Sequence, residues 1–283
     1  MRKLFIIFFG ILLCAAPVRS GSPLRVLQFN IRIISASDGN NNWYYRCKDV
    51  VSFCRNVCPD VIGMQEVTVP QRTYLLECLS DYACVGLGRD GGQNGEHSPV
   101  FYLKEKFTLE DSGTFWLSET PERVSQDWGA ACRRIFCWTI LRNRQTGERF
   151  FFASTHFDHV SELARDNSAI LSKQRLTQYA QGLPAIVVGD LNCSPFSNCY
   201  SLMLEAREGT RPLCDAWTDA RSSEGMTGTY HGWAKLPSDD NRRGDFIFTS
   251  PEINVLRIVS DDYTRRPRML SDHNPVYADI MLP

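Results

Sequence analysis

The sequence predicts an α/β protein in which two β-sheets pack against each other and helices flank them. Two observations lead to this class. Apolar runs of strand length are mixed with segments of helical periodicity, and some strands follow one another locally while others are separated by a helix. The length of 283 residues suits one large α/β domain after a short leader, and no repeat or low-complexity linker divides the chain.

The predicted strands are short runs of apolar or alternating residues. Leu24–Asn30 alternates, whereas Ala185–Val188 is an uninterrupted apolar run, which is typical of a strand covered on both faces. In chain order the predicted strands are Leu24–Asn30, Asp60–Val67, Tyr82–Leu87, Val100–Leu103, Ile135–Arg142, Arg149–Thr155, the run from Ala185, Asp245–Ser250, Ile253–Ser260 and Pro275–Leu282.

A long helix is predicted from Trp43 to the residue before Pro59, since proline ends a helix. Within it Tyr44, Val51 and Cys58 lie on one helical face at a spacing of seven residues. We expect the three aromatic residues at its start to pack against the protein rather than bind a ligand. The other predicted helices are Ser161–Gln181 and a short one near Asn198–Ala206.

Residues 1–20 are predicted to be a secretory signal peptide, and residues 21–283 one domain. A basic start precedes an apolar run from Leu4 to Ala16, and Ser20 ends a typical cleavage site. The run is too short for a transmembrane helix, and no later run is long enough. We therefore expect a secreted or periplasmic protein. Lipidation of Cys14 is the less favoured alternative, because Leu13 stands where a small residue is needed.

Charge and cysteine content limit the classes of function. The chain has 31 basic and 32 acidic residues, so it has no general affinity for nucleic acid, although a local basic patch would still permit a nuclease. Of the eleven cysteines, ten follow the predicted leader. They permit disulfides in an exported protein, whose pairing stays open. Because no pair of CxxC motifs occurs, structural zinc is not expected.

Polar side chains recur where the predicted strands end. The clearest case is "AIVVGDLNCSP", in which the apolar strand from Ala185 is followed by Asp190 and Asn192. By itself this pair could equally be a strand-end turn. Repeated strand-end placement is instead what a site gathered at one edge of the sheets would require. The full set is Asn30, Glu66, His156, Asp190, Asn192, Asp245, Asp272 and His273.

These residue types suit phosphoryl-transfer chemistry. Glu66 offers the hard oxygen ligand that Mg²⁺ prefers. Asn30 and Asn192 can donate hydrogen bonds to a phosphate without repelling it. Protonated imidazoles at His156 and His273 could neutralise developing charge. The carboxylate that follows the apolar strand could orient or deprotonate a water molecule.

The motifs "FNIR", "MQEV", "STHFDH", "GDLNCSP", "GDFIF" and "SDHNPV" follow one another in the order found in the endonuclease/exonuclease/phosphatase superfamily. The resemblance covers essentially the whole chain after the predicted leader. It implies a four-layered α/β sandwich of the deoxyribonuclease I-like fold, with two packed mixed β-sheets flanked by helices. It also implies metal-dependent hydrolysis of a phosphate ester.

The resemblance assigns metal and phosphate ligands. It implies that Glu66 is the main Mg²⁺ ligand, assisted by Asn30 and Asp272, with Mn²⁺ as an alternative ion. His156 and Asn192 would hold the scissile phosphate. The phosphate-binding set by resemblance is Asn30, Arg134, His156, Asn192 and His273.

The resemblance also assigns catalytic roles. Asp190 would position the attacking water, and Asp245 would orient His273, which stabilises the transition state. His156 belongs to the same catalytic set. The strand-end pair at Asp190 and Asn192 is thus identified as a water-aligning acid and a phosphate-binding amide.

Within the superfamily the motifs resemble one branch more than others. "GDLNCSPFS" is similar to the deadenylase-like branch and its secreted bacterial relatives, and "CRRIFCW", "STHFDHVSELAR" and "TYHGW" are most similar to the bacterial proteins. Arg32 stands where abasic-site endonucleases carry a second metal-binding Asp, which disfavours that activity. Gly244 replaces the usual aliphatic residue before "DFIF", which leaves the local strand geometry open.

Several further residues have competing interpretations. Arg134 is favoured as a phosphate ligand by resemblance, whereas Arg133 could equally be a solvated surface residue. His159, close to Asp158, could contact the leaving group or cap the helix that follows. Packing is favoured over ligand stacking for His231 and Trp233. Arg265–Arg268 could steer an anionic substrate, but such a charge run is more often solvated.

We therefore expect a monomeric, secreted, Mg²⁺-dependent phosphoesterase that acts on a small phosphorylated sugar, inositol or nucleotide-like ester. An exported nuclease is the alternative enzyme, and it would need a continuous basic groove rather than a pocket. A phosphate-ligand-binding protein without activity is the non-enzymatic alternative. Every expected catalytic residue type is present, which counts against it.

Overall fold

The computed structural model describes residues 22–235, 239–262 and 268–283, and the predicted signal peptide and Cys14 lie outside them. These residues form two β-sheets with helices around them. The strands are β1 (Pro23–Asn30), β2 (Val61–Gln65), β3 (Tyr82–Val85), β4 (Val100–Leu103), β5 (Phe107–Trp116), β6 (Ile135–Asn143), β7 (Arg149–His156), β8 (Ala185–Asp190), β9 (Cys214–Asp215), β10 (Ser223–Glu224), β11 (Asp245–Thr249), β12 (Asn254–Ser260) and β13 (Val276–Met281). The α-helices are α1 (Trp43–Val57), α2 (Val69–Cys78), α3 (Glu162–Ala180), α4 (Asn198–Leu204) and α5 (Ala216–Asp219).

One sheet has seven strands in the order β10-β12-β13-β1-β2-β4-β3, and the other has six in the order β5-β6-β7-β8-β11-β9. Each sheet is mixed. Helix α1 carries the chain from β1 to its parallel neighbour β2, and α3 does the same between β7 and β8. A parallel pair needs such a crossover, because its two strands must start at the same end. The predicted α/β sandwich of two packed mixed sheets is confirmed.

The two sheets pack face to face through β1 and β2 on one side and β7, β8 and β11 on the other. At Gly63 in β2 the facing sheet approaches closely. A Cβ atom at this position would lie 2.2 Å from Val188 Cγ2 and 3.0 Å from the Ser154 Cβ atom of the facing sheet. The glycine therefore allows a separation that any side chain would widen.

Five of these strands and α-helices were not predicted, namely α2, β5 and the short elements β9, α5 and β10. Helix α2 begins at a proline-containing turn in which the Thr68 backbone N–H donates to Gln71 Oε1 at 2.9 Å. Its sequence has a weak apolar periodicity, so only its start signal was readable. Strand β5 is an edge strand with a bulge between Leu109 and Asp111, and its polar centre hides the strand pattern.

The prediction for the start of α1 was right for one aromatic residue and wrong for two. Trp43 is buried, whereas Tyr44 and Tyr45 are 69% and 61% exposed. The face that packs on the sheet instead carries Val50 and Cys54. Periodicity alone did not reveal which of several overlapping apolar faces meets the sheet.

Candidate active site

The strand-end residues converge on one cavity of about 750 Å³. It opens where β1, β2, β7 and β8 end and β11 begins, since Asn30 pairs in register with Gln65, and Asp190 with both His156 and Asp245. Asn30 and Asp245 lie buried behind the cavity wall. The predicted site residues that line the cavity directly are Glu66, Arg134, His156, Asp190, Asn192, Asp272 and His273.

His273 is held by two buried carboxylates. Its Nδ1 donates to Asp245 Oδ2 at 2.8 Å, and its Nε2 lies 3.7 Å from Asp190 Oδ2. Burial disfavours the imidazolium, but the charges of Asp245, Asp190 and Asp272 together outweigh burial and raise the pKa of His273 well above its ordinary value. His273 is therefore placed as a charged donor.

Asp190 is fixed by backbone and side-chain donors. Its Oδ1 accepts from the Asn192 backbone N–H at 2.9 Å, and its Oδ2 accepts from Asn30 Nδ2 at 2.9 Å. Burial raises the pKa of Asp190 to about 6, with His273 lowering it and Asp245 raising it further. A carboxylate with a pKa near neutrality is suited to accept a proton from water.

His156 and Asn192 form a second pair. Asn192 Nδ2 donates to His156 Nε2 at 2.9 Å and to the Phe157 carbonyl at 3.0 Å. Burial, followed by the Arg134 and His273 charges, lowers the pKa of His156 well below its ordinary value. His156 is thus neutral at physiological pH. Of the two imidazoles that could have acted as cations, only His273 is charged.

Glu66 is tied to the rest of the site through Asn30. Asn30 Nδ2 donates to Glu66 Oε1 at 3.0 Å as well as to Asp190, while its Oδ1 accepts from the Arg32 backbone N–H at 3.0 Å. The Ile33 N–H donates to Glu66 Oε2 at 2.9 Å. The Asn30 amide therefore links two carboxylates through its nitrogen.

The donor chemistry fits a hard divalent cation. Glu66 and Asp272 line the cavity with carboxylate oxygens, the ligand type that Mg²⁺ and Mn²⁺ prefer. Burial, together with the Glu66 charge, raises the pKa of Asp272. Asp190, Asp245 and His273 form a further buried group whose ligand atoms lie within 4.8 Å of one another. The assignment of Glu66, Asn30 and Asp272 as ligands stays a prediction.

Both departures from the family motifs have local structural roles. Arg32 forms a two-point ion pair with Asp38, with both contacts at 3.1 Å, and its Nη1 lies 3.7 Å from Asp272 Oδ2. At Gly244, which precedes β11, a Cβ atom would lie 3.3 Å from Asp190 Oδ1. The glycine leaves this carboxylate uncovered on the cavity side.

The two arginines of "CRRIFCW" have different environments. Arg133 is a half-exposed partner of Asp90 at 2.9 Å. Arg134 is buried and lines the cavity, where its Nη2 donates to His159 Nδ1 at 2.9 Å and its Nε lies 3.7 Å from Asp158 Oδ2. His159 therefore faces the cavity, while Asp158 holds the turn before α3 by accepting backbone N–H groups.

Of the aromatic residues of "TYHGW", Tyr230 faces the cavity, whereas His231 and Trp233 are packed within the protein. His231 is buried and Trp233 packs under the Arg46 guanidinium at 5.4 Å, so packing is confirmed for both. Tyr230, which was not singled out, lines the cavity and lies 5.0 Å from the His273 ring. Arg265 and Arg266 lie outside the described residues, and Arg268 donates to the Tyr45 carbonyl.

Other cavity residues were also not identified from the sequence. Arg89 pairs with Glu96 at 2.7 Å, and both line the wall near Arg134. Arg165, in the first turns of α3, lines the cavity as well. "STHFDHVSELAR" contains Arg165, so the only sequence signal for it was its place in that resemblance.

Comparisons with known proteins agree with this geometry. An endonuclease/exonuclease/phosphatase from Bacteroides vulgatus has a similar structure, with 36% identity, a TM-score of 0.87, and coverage of 93% of this chain and 100% of that one. A mannosyl-6-phosphatase from Bacteroides thetaiotaomicron is 30% identical, with a TM-score of 0.84 and coverage of 92% of this chain and 100% of that one.

Nocturnin from Drosophila melanogaster is 26% identical over an alignment of 223 residues that covers 68% of this chain but only 32% of that protein. This chain thus spans about a third of that relative. The profile of the Endonuclease/Exonuclease/phosphatase family matches residues 27–273, which is most of the chain. Together with the fold and the converging site, this match means that the chain belongs to the endonuclease/exonuclease/phosphatase family, whose members are metal-dependent hydrolases of phosphate esters.

Proposed function

We propose that this protein is an exported Mg²⁺-dependent phosphatase for a small phosphorylated substrate, with a sugar phosphate as the first candidate. The observation that carries the proposal is the cavity of about 750 Å³ with three of the predicted catalytic residues, His156, Asp190 and His273, in its wall. That volume suits a sugar- or nucleotide-sized ligand. The mannosyl-6-phosphatase from Bacteroides thetaiotaomicron is matched over its whole length, and its substrate is a sugar phosphate, which supports the same substrate class here.

The chain's own residues divide the reaction between them. Arg134 holds the scissile phosphate together with Asn192, whose amide exchanges one of its two hydrogen bonds, to His156 Nε2 or to the Phe157 carbonyl, for one to a phosphoryl oxygen. Asp190 holds and deprotonates the attacking water in line with the leaving oxygen. His273, charged and oriented by Asp245, stabilises the negative charge on the phosphoryl oxygens. Tyr230 offers an aromatic face to the leaving group.

Glu66 and Asp272, with Asn30 beside them, would hold a divalent cation, which would supply Lewis-acid stabilisation of the phosphate. Arg32 lies close to both carboxylates, at 4.0 Å from Glu66 and 3.7 Å from Asp272. The positive charge of Arg32 reduces the mutual repulsion of the two carboxylates.

A phosphoester panel tests the proposal. The chain from residue 21 onward would be assayed for phosphate release from mannose 6-phosphate, glucose 6-phosphate, inositol phosphates and nucleotides, and for cleavage of DNA and RNA. Each assay is run with Mg²⁺, with Mn²⁺ and with EDTA. We expect metal-dependent release from small esters. Preferential cleavage of nucleic acid would favour the nuclease, and ligand binding without turnover would favour the non-enzymatic alternative.

Export is tested separately. No helix among the described residues is long and apolar enough to cross a membrane. We propose that the segment before Gly21 directs secretion and is removed. Mass spectrometry of the protein recovered outside the cytoplasm is expected to give a chain that begins near Gly21 or Ser22. An intact Met1, or a lipid on Cys14, would contradict this.

A further inference from the structure

The cavity has a basic region that the reaction described above does not use. It is formed by Arg165 in α3 and His159 in the turn before it, next to the loop that carries Cys193 and Ser197. We call these four residues the basic end. The carboxylates expected to bind the metal, Glu66 and Asp272, belong to the strand-end region of the same cavity.

Arg165 has little compensation for its charge. Its side chain is only 12% exposed. Its Nη1 donates to the Asp158 carbonyl at 3.0 Å, and its Nη2 lies 4.0 Å from Glu162, whose side chain is 91% exposed. A long ion pair to a solvated carboxylate contributes little. Within the described ranges no other side-chain hydrogen bond of Arg165 is formed, so most of its donors remain available.

The buried carboxylate of Asp158, whose backbone carbonyl accepts from Arg165, already has other partners. Asp158 Oδ1 accepts from the Val160 and Ser161 backbone N–H groups, both at 2.9 Å, and its Oδ2 accepts from Ala131 N at 2.9 Å. Its ion-pair partner is Arg134. Asp158 therefore supports the loop and Arg134, and it does not form an ion pair with Arg165.

His159 adds a neutral donor to the basic end. Because Arg134 Nη2 donates to His159 Nδ1 at 2.9 Å, that nitrogen must carry a lone pair. The ring proton is then on Nε2, which becomes a hydrogen-bond donor. A poorly compensated guanidinium beside an N–H donor in a cavity is a suitable arrangement for binding an anion.

We propose that the basic end binds a second anionic group of the substrate, a phosphate or a carboxylate on the leaving group. The preferred substrate is then a small phosphate ester that carries a second anionic group besides the scissile phosphate. This inference rests on the proposed function, because it concerns the leaving-group side of the same cavity. An Arg fork can bind either anion through two parallel hydrogen bonds.

Paired substrates test this directly. Mannose 6-phosphate would be compared with mannose 1,6-bisphosphate, and glucose 6-phosphate with 6-phosphogluconate, which adds a carboxylate. We expect kcat/KM to be about ten-fold or more higher for one or both of the esters with two anionic groups, as charge-assisted hydrogen bonds would give. The pair with the larger ratio identifies the second anion as phosphate or carboxylate.

Variants of Arg165 distinguish the two phosphate positions. In Arg165→Gln the ratio of kcat/KM between the ester with two anionic groups and the ester with the phosphate alone is expected to fall to near unity, mainly through KM. Arg165→Lys should retain part of it. Arg133→Gln is the matched control, because Arg133 pairs with Asp90 outside this cavity. Circular dichroism checks that each variant is folded.

Two results would overturn the inference. One is equal kcat/KM for both members of each pair in the unaltered protein. The other is an equal proportional loss for both members in Arg165→Gln, which would place Arg165 on the scissile phosphate.

A binding arm separates this inference from the proposed function. Calorimetry with the same four compounds in EDTA measures affinity without turnover. One outcome is that the compounds with two anionic groups bind more tightly, that this depends on Arg165, and that no metal condition gives hydrolysis. This outcome would support the basic end and reject only the phosphatase. Hydrolysis with equal kcat/KM for both members of each pair would support the phosphatase and reject the basic end as a second anion site.

Discussion

Asn30 and Asp190 are joined by a hydrogen bond of 2.9 Å that crosses from one sheet to the other. Asn30 ends β1 and Asp190 ends β8, and they are 160 residues apart in the chain. The same Asn30 amide also holds Glu66 at 3.0 Å. The site is therefore assembled across the sandwich interface, and packing of the sheets sets the distance between the carboxylates of Glu66 and Asp190.

Asp190→Asn tests the role of the water-aligning acid. The amide nearly preserves shape but removes the negative proton acceptor, so turnover should fall at least about a hundred-fold. Steady-state kinetics measures this loss, and substrate binding should persist. The Asp190 carboxylate accepts from both Asn30 Nδ2 and the Asn192 N–H, but an amide has only one acceptor oxygen. A slightly lower melting temperature is therefore also expected. A loss below about ten-fold in a folded variant would show a structural role.

Glu66→Gln tests the metal ligand. Removing the charge should weaken Mg²⁺ and Mn²⁺ binding and abolish most activity, because a neutral amide is a poorer ligand for a hard cation. Calorimetric titration with each ion gives a readout independent of turnover. Glu105→Gln, at an exposed position, is the control. Unchanged affinity and rate in Glu66→Gln would assign the metal to other carboxylates.

Chelation tests the need for the ion in the unaltered protein. EDTA should abolish hydrolysis of the preferred ester, since Glu66 and Asp272 provide the negative charge that a divalent cation would balance. Addition of Mg²⁺ or Mn²⁺ in excess should restore it. Full activity after exhaustive chelation, with metal content checked by elemental analysis, would contradict a metal-dependent reaction.

Asp245→Asn tests the orientation of His273. The carboxylate accepts from His273 Nδ1 at 2.8 Å and from Gln28 Nε2 at 3.0 Å, and an amide can accept from only one of these donors. The turnover number should therefore fall at least about ten-fold with a smaller change in KM. Asp111→Asn, on the exposed part of β5, should behave like the unaltered protein. A change confined to KM would indicate a binding role instead.

Gly63→Ala tests the sheet interface. The new methyl group would lie 2.2 Å from Val188 Cγ2, so unfolding free energy should fall by about 1–3 kcal/mol through overpacking. Urea denaturation measures the loss. Combining it with Val188→Ala should cost less than the sum of the two single variants, because the second change removes the clashing atom. Strict additivity would show that the sheets adjust without strain.

Much of this protein could be predicted from local sequence. Strand-length apolar runs and their polar ends depend on neighbours along the chain, so β8 and the position of Asp190 at its end were readable directly. The motif order was equally local. Where local patterns conflicted, as at the polar centre of β5 and at the start of α1, the prediction failed because tertiary packing chose the face.

The sequence by itself therefore determined the α/β class, the order of the strands along the chain, and the residue types available for catalysis. The tertiary structure alone decided that His273 is charged while His156 is neutral, since each pKa depends on burial and on charges distant in the chain. It also brought Tyr230 and Arg165 into the cavity. Electrostatics and contact act through space, and only the packed sheets fix those distances.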